Sequence, residues 1–348
     1  MDVKSSVMND ANSDLAATSE IQSSVAQLIK LPSRSGLTGC ESASYTEIVR
    51  ESLGTYTNQV GGHKVLVKPK DSSMVLKPYD EAEYRFYDQC VPVSCSTLMP
   101  FTARCFGEVD IRQPSPETSS SGDGPVSPGK SGKYVMLEDL AHGFQKPCIL
   151  DLKMGIQQRS VRNYSAQKVQ SKSAKSLMST SHKIGFRLGG AQLYRGGESL
   201  SFFNKYFGRV QDVEGTFSIL KSFFASVEED GVRSALIGNF IQKLVELKSV
   251  IQQLKGYRFW SGSLLLIYDC TDAMLNTVTV KMIDFANYTF VPSSPDPDLE
   301  YIFGIACLVE FFQAILANTD CPVPASQRPD PQVQDSELVD AVERYRLA

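Results

Sequence analysis

Hydrophobic positions along this chain follow two periods. Runs of alternating or continuous apolar residues, bounded by Gly, Pro, Asn and Asp, predict strands; stripes recurring every three to four residues predict helices. Met74-Val75-Leu76-Lys77-Pro78 and Tyr134-Val135-Met136-Leu137 read as strands, and so do Lys64-Val65-Leu66-Val67, Leu98–Glu108, Phe186–Tyr194 and Ser201–Phe207. Between the last two, Arg195-Gly196-Gly197-Glu198 has the composition of a hairpin turn. Ser263–Tyr268 and Thr279–Phe285 read as a further strand pair. Helices are expected over Asp80–Cys90, Glu214–Val227, Val232–Leu254 and Leu299–Ile315, with Leu236, Ile237, Phe240, Ile241, Leu244, Val245 and Val250 giving the third a core stripe.

Two strands carry charge where the pattern calls for apolar residues. Pro147-Cys148-Ile149-Leu150-Asp151-Leu152-Lys153-Met154-Gly155 sets an anion and a cation two positions apart, so both turn to one strand face. Val280-Lys281-Met282-Ile283-Asp284-Phe285-Ala286 embeds a second carboxylate, whose desolvation is costly unless Asp284 meets a cation or a metal. Two such carboxylates suggest phosphoryl-transfer machinery.

The segmentation that follows has three parts. Residues 1–62, rich in Ser, Thr, Asn, Gly and Gln, read as a mostly flexible extension with at most a short element packed on the body. Residues 63–140 form an N-terminal lobe, interrupted by an insertion loop at 110–132 where Pro, Ser and Gly concentrate. This lobe ends in a short acidic connector, Leu137-Glu138-Asp139-Leu140. Backbone exposed at such a hinge can hydrogen-bond an adenine edge, although an ordinary strand-to-loop transition accounts for the same letters. Residues 141–348 form a C-terminal lobe. Within it, 156–180 carries Arg159, Arg162, Lys168, Lys172 and Lys175, and no acidic residue follows until Glu198. Spacings of four and three put Lys168, Lys172 and Lys175 on one helix face: a solvated face, or, given the missing acidic partners, a site for a phosphate-rich ligand. Beyond Cys321, a proline-containing stretch leads to a short polar helix. No internal repeat is evident.

At 348 residues, 42% of them hydrophobic and 9% aromatic, the chain is long enough for two lobes with substantial cores. A formal charge of -4 gives no global reason to expect nucleic acid or an acidic membrane, so any polyanion site must be local. The eight cysteines make no CxxC pair and His63, His142 and His182 lie far apart, a pattern that does not suggest structural zinc. With no signal-like apolar segment at the N-terminus and no run that reads as a bilayer span, the expectation is a monomeric protein of a reducing compartment, cytoplasmic and/or nuclear.

Phosphoryl transfer needs nucleotide phosphates neutralised, a divalent metal fixed and an acceptor placed in line. Lys77 can reach nucleotide phosphates, or snorkel from a strand end. Asp284 can hold Mg²⁺ through a hard oxygen, or cap a turn. Lys153 can bridge acceptor and transferred phosphate, or form a structural ion pair with Asp151. Asp151 can orient or deprotonate an attacking hydroxyl, or accept from ribose hydroxyls. No GxxxxGK[ST] loop, no HRDxxxxN with DFG and no GxSxG is present, which sets aside P-loop enzymes, ordinary protein kinases and nucleophile-elbow hydrolases.

Pro147, Asp151, Lys153 and Gly155 match PxxxDxKxG, the hallmark of the inositol polyphosphate kinases, which this chain resembles from about residue 64 to 318. Leu137-Glu138-Asp139-Leu140, Gly185–Gln192, Asn204–Arg209, Ser263-Leu264-Leu265 and Ile283-Asp284-Phe285-Ala286 extend the resemblance in the family's order. It implies a two-lobed α+β fold, protein-kinase-like or ATP-grasp-like, with ATP between the lobes, ATP and Mg²⁺ as cofactors and a soluble inositol polyphosphate as substrate. By the same resemblance Lys77 is the nucleotide-phosphate lysine, Glu138 and Leu140 are hinge contacts, and Asp151 lies near ribose and the reaction centre. Lys153 is the catalytic lysine, Ser263 supports ATP binding, Asp284 binds the metal, and Arg159, Lys168, Lys172 and Lys175 bind substrate. Asp151–Gly155 together with Leu254–Arg258 and Ser263–Asp269 is most similar to the inositol hexakisphosphate kinases, which phosphorylate an existing phosphate. Asn287, where many relatives have histidine, and the divergent Gln157–Tyr164 keep the inositol polyphosphate multikinases as the alternative, with a weakly catalytic inositol-phosphate-binding protein as a third reading.

Overall fold

The computed structural model describes residues 28–30, 53–62, 64–69, 71–112, 132–156, 178–195, 199–271, 278–326 and 329. These group into two compact units, one made of residues 1–57, 64–79 and 105–139, the other of residues 58–63, 80–104 and 140–348.

The first unit is a six-stranded antiparallel sheet. Its strands are β1 (Leu28–Lys30), β2 (Leu53–Thr55), β3 (Val67–Pro69), β4 (Met74–Pro78), β5 (Cys105–Arg112) and β6 (Gly132–Glu138), in the order β1-β5-β6-β4-β3-β2. Leu76, Val109, Ile111 and Met136 form its core, with Leu53, Val67, Phe106 and Tyr134 packed around them. The strand expected over 64–67 lies instead at Val67–Pro69, where Val67 pairs with Leu76 and joins this core. The strand expected over 98–108 also divides. Ser96–Phe101 winds as a 3₁₀ turn containing Pro100, which lacks the N–H that a sheet interior needs, and pairing with β6 begins only at Cys105.

The second unit is built on β7 (Pro147–Met154), β8 (Phe186–Arg195), β9 (Ser199–Phe203), β10 (Tyr257–Phe259), β11 (Ser263–Asp269), β12 (Thr279–Ile283) and β13 (Tyr288–Phe290). Five of these form an antiparallel sheet ordered β12-β11-β7-β8-β9, and β10 pairs with β13 separately. The helices are α1 (Glu81–Arg85), continued as a π-helix over Phe86–Ser94, then α2 (Ser181–Ile184), α3 (Lys205–Arg209), α4 (Val213–Phe224), α5 (Asp230–Gln253) and α6 (Leu299–Leu316). The strand expected to reach Phe207 stops at Phe203, because the Asn204 side chain accepts from the N–H groups of Tyr206 and Phe207 and starts α3.

One face of the five-stranded sheet is the core. Leu150, Leu152, Met154, Leu188, Leu264, Leu266 and Met282 are buried there, under rings supplied by α4, α5 and α6. Phe223 meets Tyr268 at 4.9 Å, Phe186 meets Phe311 at 6.1 Å, and Phe240 meets Phe312 at 6.2 Å, all tilted or edge-on as aromatic quadrupoles prefer. Helix α6 corrects one expectation: it has the length and mean hydropathy, 1.7, of a bilayer-crossing helix. Phe303, Ile305, Cys307, Leu308, Phe311 and Phe312 are nevertheless buried inside the unit, as in the core helix of a globular protein.

Two segments group differently from the expected lobe boundaries. Asp80–Arg104, expected in the N-terminal lobe, packs with the second unit because Phe86 stacks on Phe285 at 4.1 Å and Thr102 bridges to Met282. Asn58–His63, assigned to the extension, also joins the second unit, where Val60 is buried with Ala141, Ile149 and Ile267. The insertion expected over 110–132 is shorter at both ends, because Asp110 and Ile111 still pair in β5, with Lys133 and Gly132 of β6. Residues 113–131, the hairpin turn at 196–198 and the polar C-terminal helix lie outside the described residues.

Candidate active site

The opposite face of the five-stranded sheet collects the charges. Lys153 of β7 lies across from Ser263 of β11 and from Arg187 of β8, and Asp151 lies across from Leu265 and Gly190. Pairing of β7 with β11 is unbroken over this stretch, so Asp151 and Lys153 share a face as their spacing requires. On the β8 side the register shifts between Asp151 and Leu152, leaving Gly189 as an extra residue in β8. At the end of β7, Gly155 takes a left-handed φ of 93°, and its N–H donates to the Gly185 carbonyl at 2.8 Å.

Strand β12 delivers Asp284 to the same place. Ile283 pairs with Ser263, and Asp284 then turns out of the strand with φ 67°, a left-handed conformation that aspartate tolerates better than most residues. The result is a compact constellation: Lys153 Nζ lies 3.3 Å from Asp284 Oδ2 and 3.5 Å from Ser263 Oγ. Asp151 is 4% exposed and Ser263 1% exposed, whereas the side chains of Lys153 and Asp284 keep 22% and 27% of their surface open. The charged tips therefore remain reachable by a ligand while their strands are fixed.

Two contributors were not singled out in the sequence. The first is Glu83, buried on α1, whose carboxylate accepts from the Phe285 N–H at 3.2 Å. Together with the Phe86–Phe285 stack, it pins the backbone immediately after Asp284. Removing it leaves a buried donor without this acceptor, so Glu83→Ala should lose about 1–3 kcal/mol of unfolding free energy in a denaturant titration. Glu83→Gln, which keeps an acceptor oxygen, should lose clearly less.

The second is Arg187, whose Nη1 donates to Ser181 Oγ at 3.2 Å. Burial pushes its guanidinium down to about 10, the nearby charge of Arg209 adds to the depression, and Asp151 opposes it. At neutral pH Arg187 is still a cation. Because desolvation and repulsion both work against its charge, an arriving anion would relieve the two together. A lone arginine in a strand gives no sequence signal of this; only its position across from Lys153 does.

The remaining expected site residues divide by unit. Leu140 packs beside the Val60, Ala141, Ile149 and Ile267 cluster of the second unit. In the first unit, Lys77 lies on β4 opposite Val135, and Glu138 closes β6 opposite Met74. The connector is fixed there by Asp139, which is buried, accepts from Tyr56 Oη at 2.6 Å and pairs with Lys68. Arg159, Lys168, Lys172 and Lys175 lie outside the described residues.

A hard carboxylate at the open end of a strand, beside a lysine and a hydroxyl, suits an ion that arrives with nucleotide phosphates. Mg²⁺ needs only one or two protein carboxylates when phosphates and water complete its shell. Among the described residues no group of three or more His, Cys, Asp or Glu side chains could hold a metal by itself. Asp284, whose side chain stays open to solvent, fits the phosphate-borne case.

Comparison with known proteins gives this arrangement a family. The sequence profile described as inositol polyphosphate kinase matches residues 134–313, slightly more than half the chain. Inositol hexakisphosphate kinase 2 of Oryctolagus cuniculus is 34% identical over 222 residues, covering 53% of this chain and 52% of the relative. Inositol hexakisphosphate kinase 1 of Rattus norvegicus is 29% identical over 290 residues, covering 70% and 64%. The chain thus spans about half the length of the first of these relatives. In fold, it is similar to the crystal structure of the inositol phosphate multikinase Ipk2 from S. cerevisiae, in complex with ADP and Mn²⁺. The TM-score is 0.55 at 21% identity, over 70% of this chain and 100% of the other. The fold class is thus the α+β architecture of a two-lobed kinase. Within that class, the chain belongs to the inositol polyphosphate kinase family.

Proposed function

We propose that this chain is an ATP-dependent inositol hexakisphosphate kinase that forms diphosphoinositol pentakisphosphate by transferring a phosphoryl group to an existing phosphate. The observation that carries a phosphoryl-transfer reading is the Lys153–Asp284–Ser263 constellation on one sheet face. The hexakisphosphate kinases among its relatives support that acceptor.

In this mechanism Lys153 meets the phosphoryl oxygens as negative charge redistributes in the transition state. Its strand is already fixed, so little reorganisation accompanies the reaction. Asp284 is the residue that would hold Mg²⁺, which when bound neutralises phosphate charge, and Ser263 supports the nucleotide. Lys77 serves the nucleotide phosphates, and Glu138 with Leu140 the adenine. Arg187 and Arg209, with Arg159, Lys168, Lys172 and Lys175, provide cations for the acceptor's phosphates. Asp151 need not remove a proton, since an acceptor phosphate oxygen is already ionised.

The deciding experiment incubates purified protein with Mg-ATP and, separately, inositol hexakisphosphate or inositol trisphosphate, and identifies the products. A diphosphoinositol product from the hexakisphosphate supports the proposal. Tetrakis- and pentakisphosphates from the trisphosphate, with no turnover of the hexakisphosphate, would move it to the multikinases. Neutralising Lys168, Lys172 and Lys175 together should raise KM for the inositol phosphate about tenfold or more and leave KM for ATP within about threefold. Equal rises for both ligands would remove these lysines from the acceptor site.

A further inference from the structure

The Asp151 carboxylate lies between two backbones that carry no side chain at the point of contact. A Cβ added at Gly61 would overlap Oδ2 and come within 2.8 Å of the Asp151 Cγ. From the other side, a Cβ at Gly189 would lie 2.8 Å from Oδ1. The cage continues one residue further, since a Cβ at Gly190 would overlap the Val60 carbonyl oxygen and lie 2.6 Å from its carbon. Gly61 therefore does more than permit a turn: its missing side chain lets residues 58–62 lie flush against Asp151 and the bulge of β8.

Independent contacts hold that segment in place. Val60 is buried with Ala141, Ile149 and Ile267. Gln192 of β8 donates from Nε2 to Asn58 Oδ1 at 3.4 Å and to the Pro147 carbonyl at 3.0 Å. Gln59 Nε2 donates to the Gly61 carbonyl at 3.0 Å. The carboxylate is consequently 4% exposed, although it lies only two residues from the far more open Lys153.

We propose that Asn58–Gly62 is a positioning strap of the active site, in which Gly61 fixes the Asp151 carboxylate against β8 so that it serves as an oriented charge and not as a mobile proton acceptor. The consequence for turnover rests on the kinase reading; the contact between strap and carboxylate does not. A carboxylate confined on both sides cannot swing aside to admit a new methyl group. An alanine at residue 61 must therefore displace either Asp151 or the strap.

The test is a double-mutant cycle on the full chain, with Gly61→Ala, Asp151→Ala and the pair, read by thermal unfolding and steady-state kinetics. In Asp151→Ala the atoms that the new methyl would strike are gone, and the nearest remaining one, the residue-151 Cβ, lies 3.4 Å away, at the edge of ordinary contact. Gly61→Ala should therefore lower Tm by several degrees in the wild-type background and by much less in Asp151→Ala. In otherwise wild-type protein, assayed where it is fully folded, kcat should fall about tenfold or more while KM for ATP and for the inositol phosphate stays within about threefold. Gly238→Ala on α5, where an added Cβ meets nothing within 4 Å, controls for glycine replacement as such and should leave kcat unchanged. Equal loss of Tm in both backgrounds overturns the strap, and so does an unchanged kcat in folded Gly61→Ala. If the wild-type protein phosphorylates no inositol phosphate at all, the kinase reading fails, and the Tm cycle still decides whether the strap and Asp151 act together.

Discussion

Lys153→Ala is expected to reduce kcat about a thousandfold, with the fold intact. Lys153 sits on β7, flanked by β8 and β11 with buried residues at Leu152 and Met154, so its backbone is held by paired strands on both sides. Its ammonium lies 3.3 Å from Asp284 and 3.5 Å from Ser263, which puts a fixed positive charge where the reading places the transferring phosphoryl group. Among the described residues of that face, Lys281 of β12 is engaged with the Thr102 carbonyl at 2.9 Å. Arg187 lies on the next strand, tied to Ser181. Stability should respond far less than rate. With about a quarter of each side chain open to solvent, the Lys153–Asp284 pair contributes no more than about 1 kcal/mol. Lys153→Arg should not restore the rate, because a planar guanidinium on a longer stem cannot occupy the position of a compact ammonium. The measurement is kcat for product formation beside Tm for each variant. A Lys153→Ala enzyme that turns over within a few fold of wild type, and is folded, would remove this lysine from the chemistry.

What the sequence conveyed of this site depended on whether the cause was local. Asp151, Lys153 and Asp284 stood out because each interrupts an apolar strand, and desolvation makes such an interruption costly unless something answers it. The pairing of β11 with β12, and the extents of α4, α5 and α6, followed from periodicity for the same reason. Where local chemistry was present but outweighed, the boundary slipped. Asn204 is an N-cap residue inside an aromatic run, and the apolar pattern over 201–207 concealed the start of α3.

Long-range relations were not legible at all. Glu83 on an amphipathic helix looks like any solvent-facing glutamate until Phe285, 202 residues later, presents its N–H. Gly61 and Gly62 read as the end of the flexible N-terminal extension, because nothing in their neighbourhood announces Asp151 as the surface they must lie against. The same holds for Asp80–Arg104, whose place in the second unit comes from Phe86 stacking on a ring some two hundred residues away. Sheet topology and buried side-chain pairing supply what one-dimensional periodicity omits. In this protein, that is most of what surrounds the charged residues.

Asp284→Asn should also cost about a thousandfold in kcat, but with a different signature. Asparagine is nearly isosteric and, like aspartate, adopts left-handed backbone readily, so the φ of 67° at this position is not a reason for the variant to misfold. The anchoring bond from the Phe285 N–H to Glu83 involves neither side-chain oxygen of Asp284 and should persist. What disappears is charge. Lys153 loses the anion 3.3 Å away, and the hard, negatively charged oxygen suited to a phosphate-borne divalent ion becomes a neutral amide. Three measurements follow. Tm should stay within a few degrees of wild type, because the pair is partly solvated and contributes about 1 kcal/mol at most. The concentration of Mg²⁺ or Mn²⁺ giving half-maximal activity should rise about tenfold or more, a shift that Lys153→Ala should not reproduce. Direct titration of Mn²⁺ into the ADP complex, read by its paramagnetic effect on water relaxation, should show the same weakening without any turnover. If the two variants lose rate equally and neither alters metal dependence, Asp284 serves only as the counter-charge of Lys153, and the metal must be held elsewhere.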